Sequence, residues 1–189
     1  MPVQDVAATH ITTTVLFATS TGFNITEASG ADPLLTVLSD TSLRIGQPRR
    51  APTFTVTLQW HESFAGPVHN FAIYPGGDTT PGLPGDPCPS ATTGCIAKTN
   101  PVSSSTPTTS KTFNLGTGRY EYYCEYHRST MHGQIRAINP DVDGDGDVDI
   151  DDVINTFLNQ FTTNLTYDID LDGDVDIDDL IIVFLHQFI

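Results

Sequence analysis

Basic residues are scarce in this 189-residue chain: eight lysines and arginines stand against 23 acidic side chains, a formal net charge of −15. A chain so short of cations has little with which to neutralise phosphates, so nucleic acid is not an expected partner. Long apolar runs are missing as well, and no segment reaches the roughly 20 residues a membrane-spanning helix needs. The first twenty residues lack the basic start and apolar core of an export signal, so the chain is expected to be a mature, trimmed or truncated form. Sulfur is sparse, with three cysteines and two methionines, and apart from Met1 the only methionine is Met131. The length suffices for one domain of ordinary size and a small appendage.

The soft ligands that are present gather in one place. Cys124, His127, Met131 and Gly133 lie in CEYHRSTMHG, at the end of an aromatic run. A thiolate, an imidazole and a thioether on one short loop suit copper, for which two imidazoles and a thiolate form a plane with a distant sulfur on the axis. The second imidazole is expected from His69. It opens VHNFAIY, where alternation places His69, Phe71 and Ile73 on one face of a strand, after the turn-prone Gly66 and Pro67. In GRYEYYC the same alternation sends Tyr120, Tyr122 and Cys124 inward and Glu121 and Tyr123 outward. His132 is an alternative ligand, His61 reads as a loop residue, and His10 and His186 carry no signal.

The VHNF and YYCEYHRSTMHGQI stretches resemble those of cupredoxins of the plastocyanin, pseudoazurin and amicyanin group, over roughly residues 8–138. The resemblance implies one mononuclear type 1 copper, with His69, Cys124 and His127 equatorial and Met131 axial, and Asn70 tying the two ligand loops together. The His-to-Met spacing is one residue longer than in amicyanin and one shorter than in plastocyanin. A binuclear centre would need two cysteines in the ligand loop, and a second copper of the multicopper oxidase or nitrite reductase kind would need further histidine pairs; no His-x-His occurs. With every position filled by protein there is no open site for a substrate, so electron transfer rather than an enzyme is expected. The stretches ITTTVLFA, PLLTVLSD and APTFTVTLQW read as short strands, and an all-β Greek-key sandwich or barrel is the fold class.

If Cys124 is a ligand, Cys88 and Cys95 are left as a pair in GDPCPSATTGC. A disulfide is the economical reading, the alternative being two unpaired loop thiols. A disulfide points to an oxidising space: secreted, periplasmic or at the cell surface. The surrounding stretch from Gly76 to Lys111 is dense in Gly, Pro, Ser and Thr and reads as one long loop.

After Pro140 the composition changes. Residues 1–138 carry nine acidic and eight basic side chains, whereas 139–189 carry fourteen aspartates and no lysine or arginine. DVDGDGDVDIDD places Asp141, Asp143, Asp145, Asp149 and Asp152 at positions 1, 3, 5, 9 and 12 of a calcium loop. Gly146 takes the sharp turn and the carbonyl of Asp147 supplies position 7. DIDLDGDVDIDD repeats the pattern with Asp168, Asp170, Asp172, Asp176 and Asp179, Gly173 and the carbonyl of Asp174, so two Ca2+ ions are expected. Val148 and Val175 anchor the loops inward. Helices are expected only after the loops, with Val153, Phe157, Leu158, Phe161 and Leu180, Phe184, Leu185, Phe188 as packing stripes. This duplicated module, 139–189, resembles a dockerin, which implies a cohesin-domain partner and contacts at Ile150, Asp151, Ile177 and Asp178. A tail that calcium merely stabilises is the alternative.

The resulting expectation is an extracellular copper electron carrier, residues 1–138, tethered through a small α-helical calcium-loop domain, and exchanging electrons with another redox protein. Copper storage or delivery, or a structural role on the same fold, is the rival reading.

Overall fold

The computed structural model describes residues 11–19, 22–29, 37–39, 42–46, 53–60 and 68–187. His10, His61, Gly66, Pro67 and Phe188 lie outside the described residues. Ten strands are present among those described: β1 (Ile11–Thr19), β2 (Gly22–Ser29), β3 (Val37–Ser39), β4 (Ser42–Gly46), β5 (Thr53–Trp60), β6 (Ala72–Pro75), β7 (Ala97–Lys98), β8 (Thr108–Asn114), β9 (Gly118–Tyr123) and β10 (His132–Ile138). They form a four-stranded sheet, β2-β1-β5-β8, and a six-stranded sheet, β3-β4-β10-β9-β6-β7. The pairs β1 with β5 and β4 with β10 are parallel; the other pairs are antiparallel.

Period-two patterning decides which side chains enter the core. In β5, Val56 and Leu58 are fully buried, while Thr57 between them meets Ser110 of β8 on the exposed face. In β10, Ile135 and Ala137 are buried and Gln134 is exposed. The main core joins Val56, Leu58 and Phe113 from the smaller sheet to Phe71, Ile73, Tyr122, Cys124, Met131, Ile135 and Ala137 from the larger sheet and its adjoining loops. Phe71 stacks on Tyr122 at 4.9 Å between ring centres. Each such large side chain contributes about 1.5–3 kcal/mol by leaving water. Cys124, one residue beyond β9, is thereby held by the sandwich itself.

Tyr123, expected on the outer face, is on the face opposite Tyr122 and is only 7% exposed there, in a second cluster with Ala72, Tyr74 and Cys95. Alternation correctly puts Tyr123 opposite Tyr122, but that face is covered by the chain after β6. The stretch read as one long loop folds back over the sheet, is closed by a Cys88–Cys95 disulfide, and returns as β7 and β8. Its polar composition hid this, because it contributes backbone partners and a disulfide rather than an apolar stripe. Alkylation under denaturing conditions should label one cysteine before reduction, Cys124, and three after it; three labels before reduction would show that the bond is absent.

In the tail, α1 (Ile150–Leu158) and α2 (Ile177–His186) each follow an acidic loop. Asp149 and Asp176 are their N-caps, each in a reciprocal capping box with Asp152 or Asp179. Of the stripes expected to pack together, Val153 packs against the tail's cluster, whereas Phe157, Leu158, Phe161, Phe184 and Leu185 are exposed. Asp152 and Asp179 must turn back to their own loops, which fixes the rotation of each helix. Thr156 on one helix, and Ile182, Val183 and His186 on the other, then face inward on the helical repeat. Val148, Ile169, Ile182 and Val183 form the tail's cluster, which includes Ile138 at the end of β10. Arg136 of β10 donates to the carbonyl of Asp170 at 2.9 Å and lies 3.7 Å from its carboxylate, tying the second loop to the larger sheet. No described helix is long and apolar enough to cross a membrane.

Candidate metal centre

His69 sits just ahead of β6, pinned in a two-way backbone bridge with Val102 at 3.0 and 2.7 Å. Cys124 and His127 come from the turn after β9, which is closed by backbone bonds from Cys124 to Met131 (2.8 Å) and from His127 to Cys124 (2.9 Å). A three-residue spacing around such a turn brings the thiol and imidazole to one side. The Cys124 sulfur lies 3.5 Å from Nδ1 of His127 and 3.8 Å from Nδ1 of His69, and the two imidazole rings are 4.7 Å apart. Cys124 and Met131 are fully buried and His69 nearly so.

These separations would suit donors to a shared ion. A nitrogen about 2.0–2.1 Å and a sulfur about 2.3 Å from one transition metal are roughly 3.6 Å apart at tetrahedral angles and roughly 3.8 Å at trigonal ones. The electrostatics agree. Burial, then the neighbouring His127, pulls His69 down to about 4, and burial pulls His127 down as well, so both rings are poised as neutral donors. Burial pushes the Cys124 thiol up, so without a cation it keeps its proton. Because His69 titrates below its ordinary 6.5 when folded, the metal-free protein binds fewer protons than its unfolded chain. Its stability from this group is complete above about 6.5 and is lost as pH falls toward about 4. Thermal unfolding of metal-free protein across that window should show the decline, and His69→Gln should reduce it; equal slopes would refute the assignment.

Asn70 ties the two ligand segments together, as the resemblance implies. Its amide donates to the Glu125 carboxylate at 2.8 Å, and its side-chain oxygen accepts from the Glu125 backbone N–H at 2.9 Å. His132, the alternative ligand, is exposed and stacks on Tyr123 instead. His186 is buried in the tail with Nδ1 2.8 Å from the Ile182 carbonyl. Sequence reading missed Glu125, Lys98, Tyr74 and Arg128 around the centre. The available signal was an acidic residue directly after Cys124.

Two acidic groups in the tail also converge. Carboxylate oxygens of Asp141, Asp143 and Asp152 lie within 4.8 Å of one another, as do those of Asp168, Asp170 and Asp179. Asp152 accepts from the N–H groups of Val142, Asp143 and Asp149, and Asp179 from those of Ile169, Asp170 and Asp176, so each helix's first turn closes its loop. Asp141 and Asp168 accept from the glycines at the sharp turns, Gly146 at 3.1 Å and Gly173 at 3.0 Å. Both glycines have positive φ, 104° and 115°, which is why glycine is needed there. Asp145 and Asp172 accept from the next N–H but one, and Asp149 and Asp176 serve as caps, outside the converging trios. Asp147 and Asp174 fill the seventh position in each loop. Burial raises Asp179 above the usual carboxylate range, a sign of packed acid without a counter-charge. Ile150 and Ile177 are 57% and 55% exposed at the starts of the helices, beside exposed Asp151 and Asp178.

No family model matches the sequence, and comparison with curated proteins found no match. Solved structures to which the chain is similar include auracyanins, an azurin and rusticyanin. Auracyanin A, a blue copper protein from Chloroflexus aurantiacus, aligns with 67% of this chain and 98% of its own at 19% identity and a TM-score of 0.47. An azurin from Methylomonas sp. strain J covers 69% of this chain and 98% of its own at 21% identity and 0.43. Reduced rusticyanin covers 67% and 79% at 22% and 0.39.

Proposed function

We propose that the β domain, residues 1–138, is a type 1 copper electron carrier, with His69, Cys124 and His127 as the close ligands of one copper and Met131 as its axial ligand. The observation that carries this reading is the buried trio, with both imidazole Nδ1 atoms 3.5 and 3.8 Å from one thiol sulfur. Bound copper supplies a one-electron couple between Cu(II) and Cu(I). The chain's own part is to hold the donors still: His69 by its bridge to Val102, Cys124 by the sandwich core, and His127 by the turn. Donors held in this way would keep reorganisation on electron exchange small, and the burial of Cys124, His69 and Met131 keeps water from the donor atoms. His127, the least buried of the trio, is the edge through which an electron passes to a redox protein partner, with Tyr123 a lesser route. Voltammetry of copper-loaded protein tests this: a reversible couple without metal loss supports a carrier, whereas metal release on reduction would favour copper storage or delivery.

Residues 139–189 form, in the same proposal, a dockerin-like module that binds two Ca2+ ions and attaches the carrier to a cohesin-domain protein. Its support is the two carboxylate trios and the exposed Ile150, Asp151, Ile177 and Asp178 in equivalent positions of the two repeats. Hard oxygen donors around a glycine turn suit calcium. The Cys88–Cys95 disulfide favours a secreted, periplasmic or cell-surface setting.

A further inference from the structure

The disulfide-closed segment 76–98 is fastened at three points, to the face of the larger sheet opposite the main core and to the metal-binding turn, and is closed on itself at a fourth by Lys98 of β7. Tyr123 donates its hydroxyl to the carbonyl of Asp78 at 2.6 Å, and Arg128, next to His127, donates to the carbonyl of Pro81 at 2.7 Å. The N–H of Gly82 donates to the Tyr74 hydroxyl at 3.1 Å, and Lys98 donates to the carbonyl of Asp86 at 2.8 Å. Two of these anchors then converge on one carboxylate. Glu125, adjacent to Cys124, accepts from Lys98 at 2.9 and 3.2 Å, from Tyr74 at 3.0 Å and from Asn70 at 2.8 Å. Its side chain is 1% exposed.

A carboxylate so buried is tolerable only when its charge is paired and its lone pairs are filled. An apolar pair of similar size would pack as well, but it would have no preferred direction. Here the three donors arrive from three different segments: Asn70 from the His69 side, Tyr74 from β6, and Lys98 from the end of the disulfide-closed flap. Each fixes Glu125 from a different angle, and Glu125 is covalently next to the thiol ligand. On the other side of His127, Arg128 donates to the flap's Pro81 carbonyl.

We infer that segment 76–98 is a clamp on the metal-binding turn, in which Lys98 and Glu125 are positioning residues that set how firmly Cys124 and His127 hold their metal. This rests on the copper reading. The disulfide keeps the clamp closed, because it lies between the anchor at Asp86 and the one at Lys98. Opening it leaves that closure to hydrogen bonds alone, such as Lys98 to the Asp86 carbonyl, so the hold on metal becomes sensitive to thiol reductants.

Full-length protein loaded with copper tests the inference. Lys98→Met should release copper to a chelator about 10–100-fold faster, the range seen for partners that orient metal ligands. It should also alter the Cu(II) electron paramagnetic resonance pattern. Lys98→Arg should stay near wild type, and Glu125→Gln added to Lys98→Met should restore part of the loss by removing the unpaired charge. Hydrogen exchange of residues 124–131 in the metal-free protein should quicken in Lys98→Met and in the Cys88→Ser, Cys95→Ser pair. If both retain wild-type release rates, resonance pattern and exchange, the clamp does not exist. If Lys98→Met does not fold, the double serine variant alone decides. If wild-type protein shows no thiolate-to-copper absorption, the copper reading has failed, and the exchange measurement still decides the clamp.

Discussion

Cys124→Ser is expected to abolish the intense visible thiolate-to-copper absorption of the copper-loaded protein while leaving the fold in place. In the proposed site the Cys124 thiol would be the sulfur donor beside His69 and His127, whose Nδ1 atoms lie 3.8 and 3.5 Å away. A hydroxyl is a harder donor that does not give this charge-transfer band, and it ionises far less readily than a thiol bound to metal. Serine is close in size to cysteine, so the core around Phe71, Tyr122 and Ile135 keeps its packing, and any cost is about 1–3 kcal/mol for a buried hydroxyl with imperfect partners. Circular dichroism of the variant, compared with its visible spectrum, separates loss of the site from loss of the fold. A wild-type protein that is colourless at full copper occupancy would overturn the electron-carrier proposal.

The second large effect concerns calcium. Chelation in the full-length protein should remove most of the helix signal at 222 nm, while the copper absorption remains. The nine- and ten-residue helices are too short to persist alone, since helices under about 12–15 residues are marginal in water. The fourteen aspartates of the tail meet no lysine or arginine within it, and two trios bring carboxylate oxygens within 4.8 Å. Like charges at that distance repel by about 1 kcal/mol per pair even at the dielectric constant of water, and more where buried. Two Ca2+ ions would offset four of the fourteen charges. At free calcium 100-fold above its dissociation constant each site would add about 2.7 kcal/mol to stability. The second loop is the more buried, and its aspartate at position 3, Asp170, lies 3.7 Å from Arg136. Asp179→Asn should therefore cost more stability than Asp152→Asn. Helix signal and thermal transition unchanged by chelator would refute the calcium proposal.

Part of this was legible in the residues because the relevant physics is local. The Cys124–His127 spacing, the single free methionine at 131 and the alternation of GRYEYYC all act within one turn or one strand. The two acidic loops repeat a spacing that the backbone itself translates into convergence, with glycine at the one position that needs positive φ. His69 was placed beside Cys124 by ligand chemistry, although the strand it was meant to open begins three residues later, at Ala72. Apolar periodicity alone does not give the helix faces, because it omits the inward turn of Asp152 and Asp179. Strand alternation gives the face that Tyr123 takes and nothing about what covers that face.

The sequence by itself determined the donor types, their spacing within each loop, the strand patterning and the split between a near-neutral domain and an acidic tail. Only the tertiary structure decided that residues 76–98 fold back over the sheet, that Lys98 reaches Glu125 from 27 positions away, and that Arg136 meets the second acidic loop. Those contacts join segments distant along the chain, and no periodicity in either partner encodes them. They exist because the packed sheets bring the segments together, and a buried carboxylate then needs whatever cation the fold can deliver.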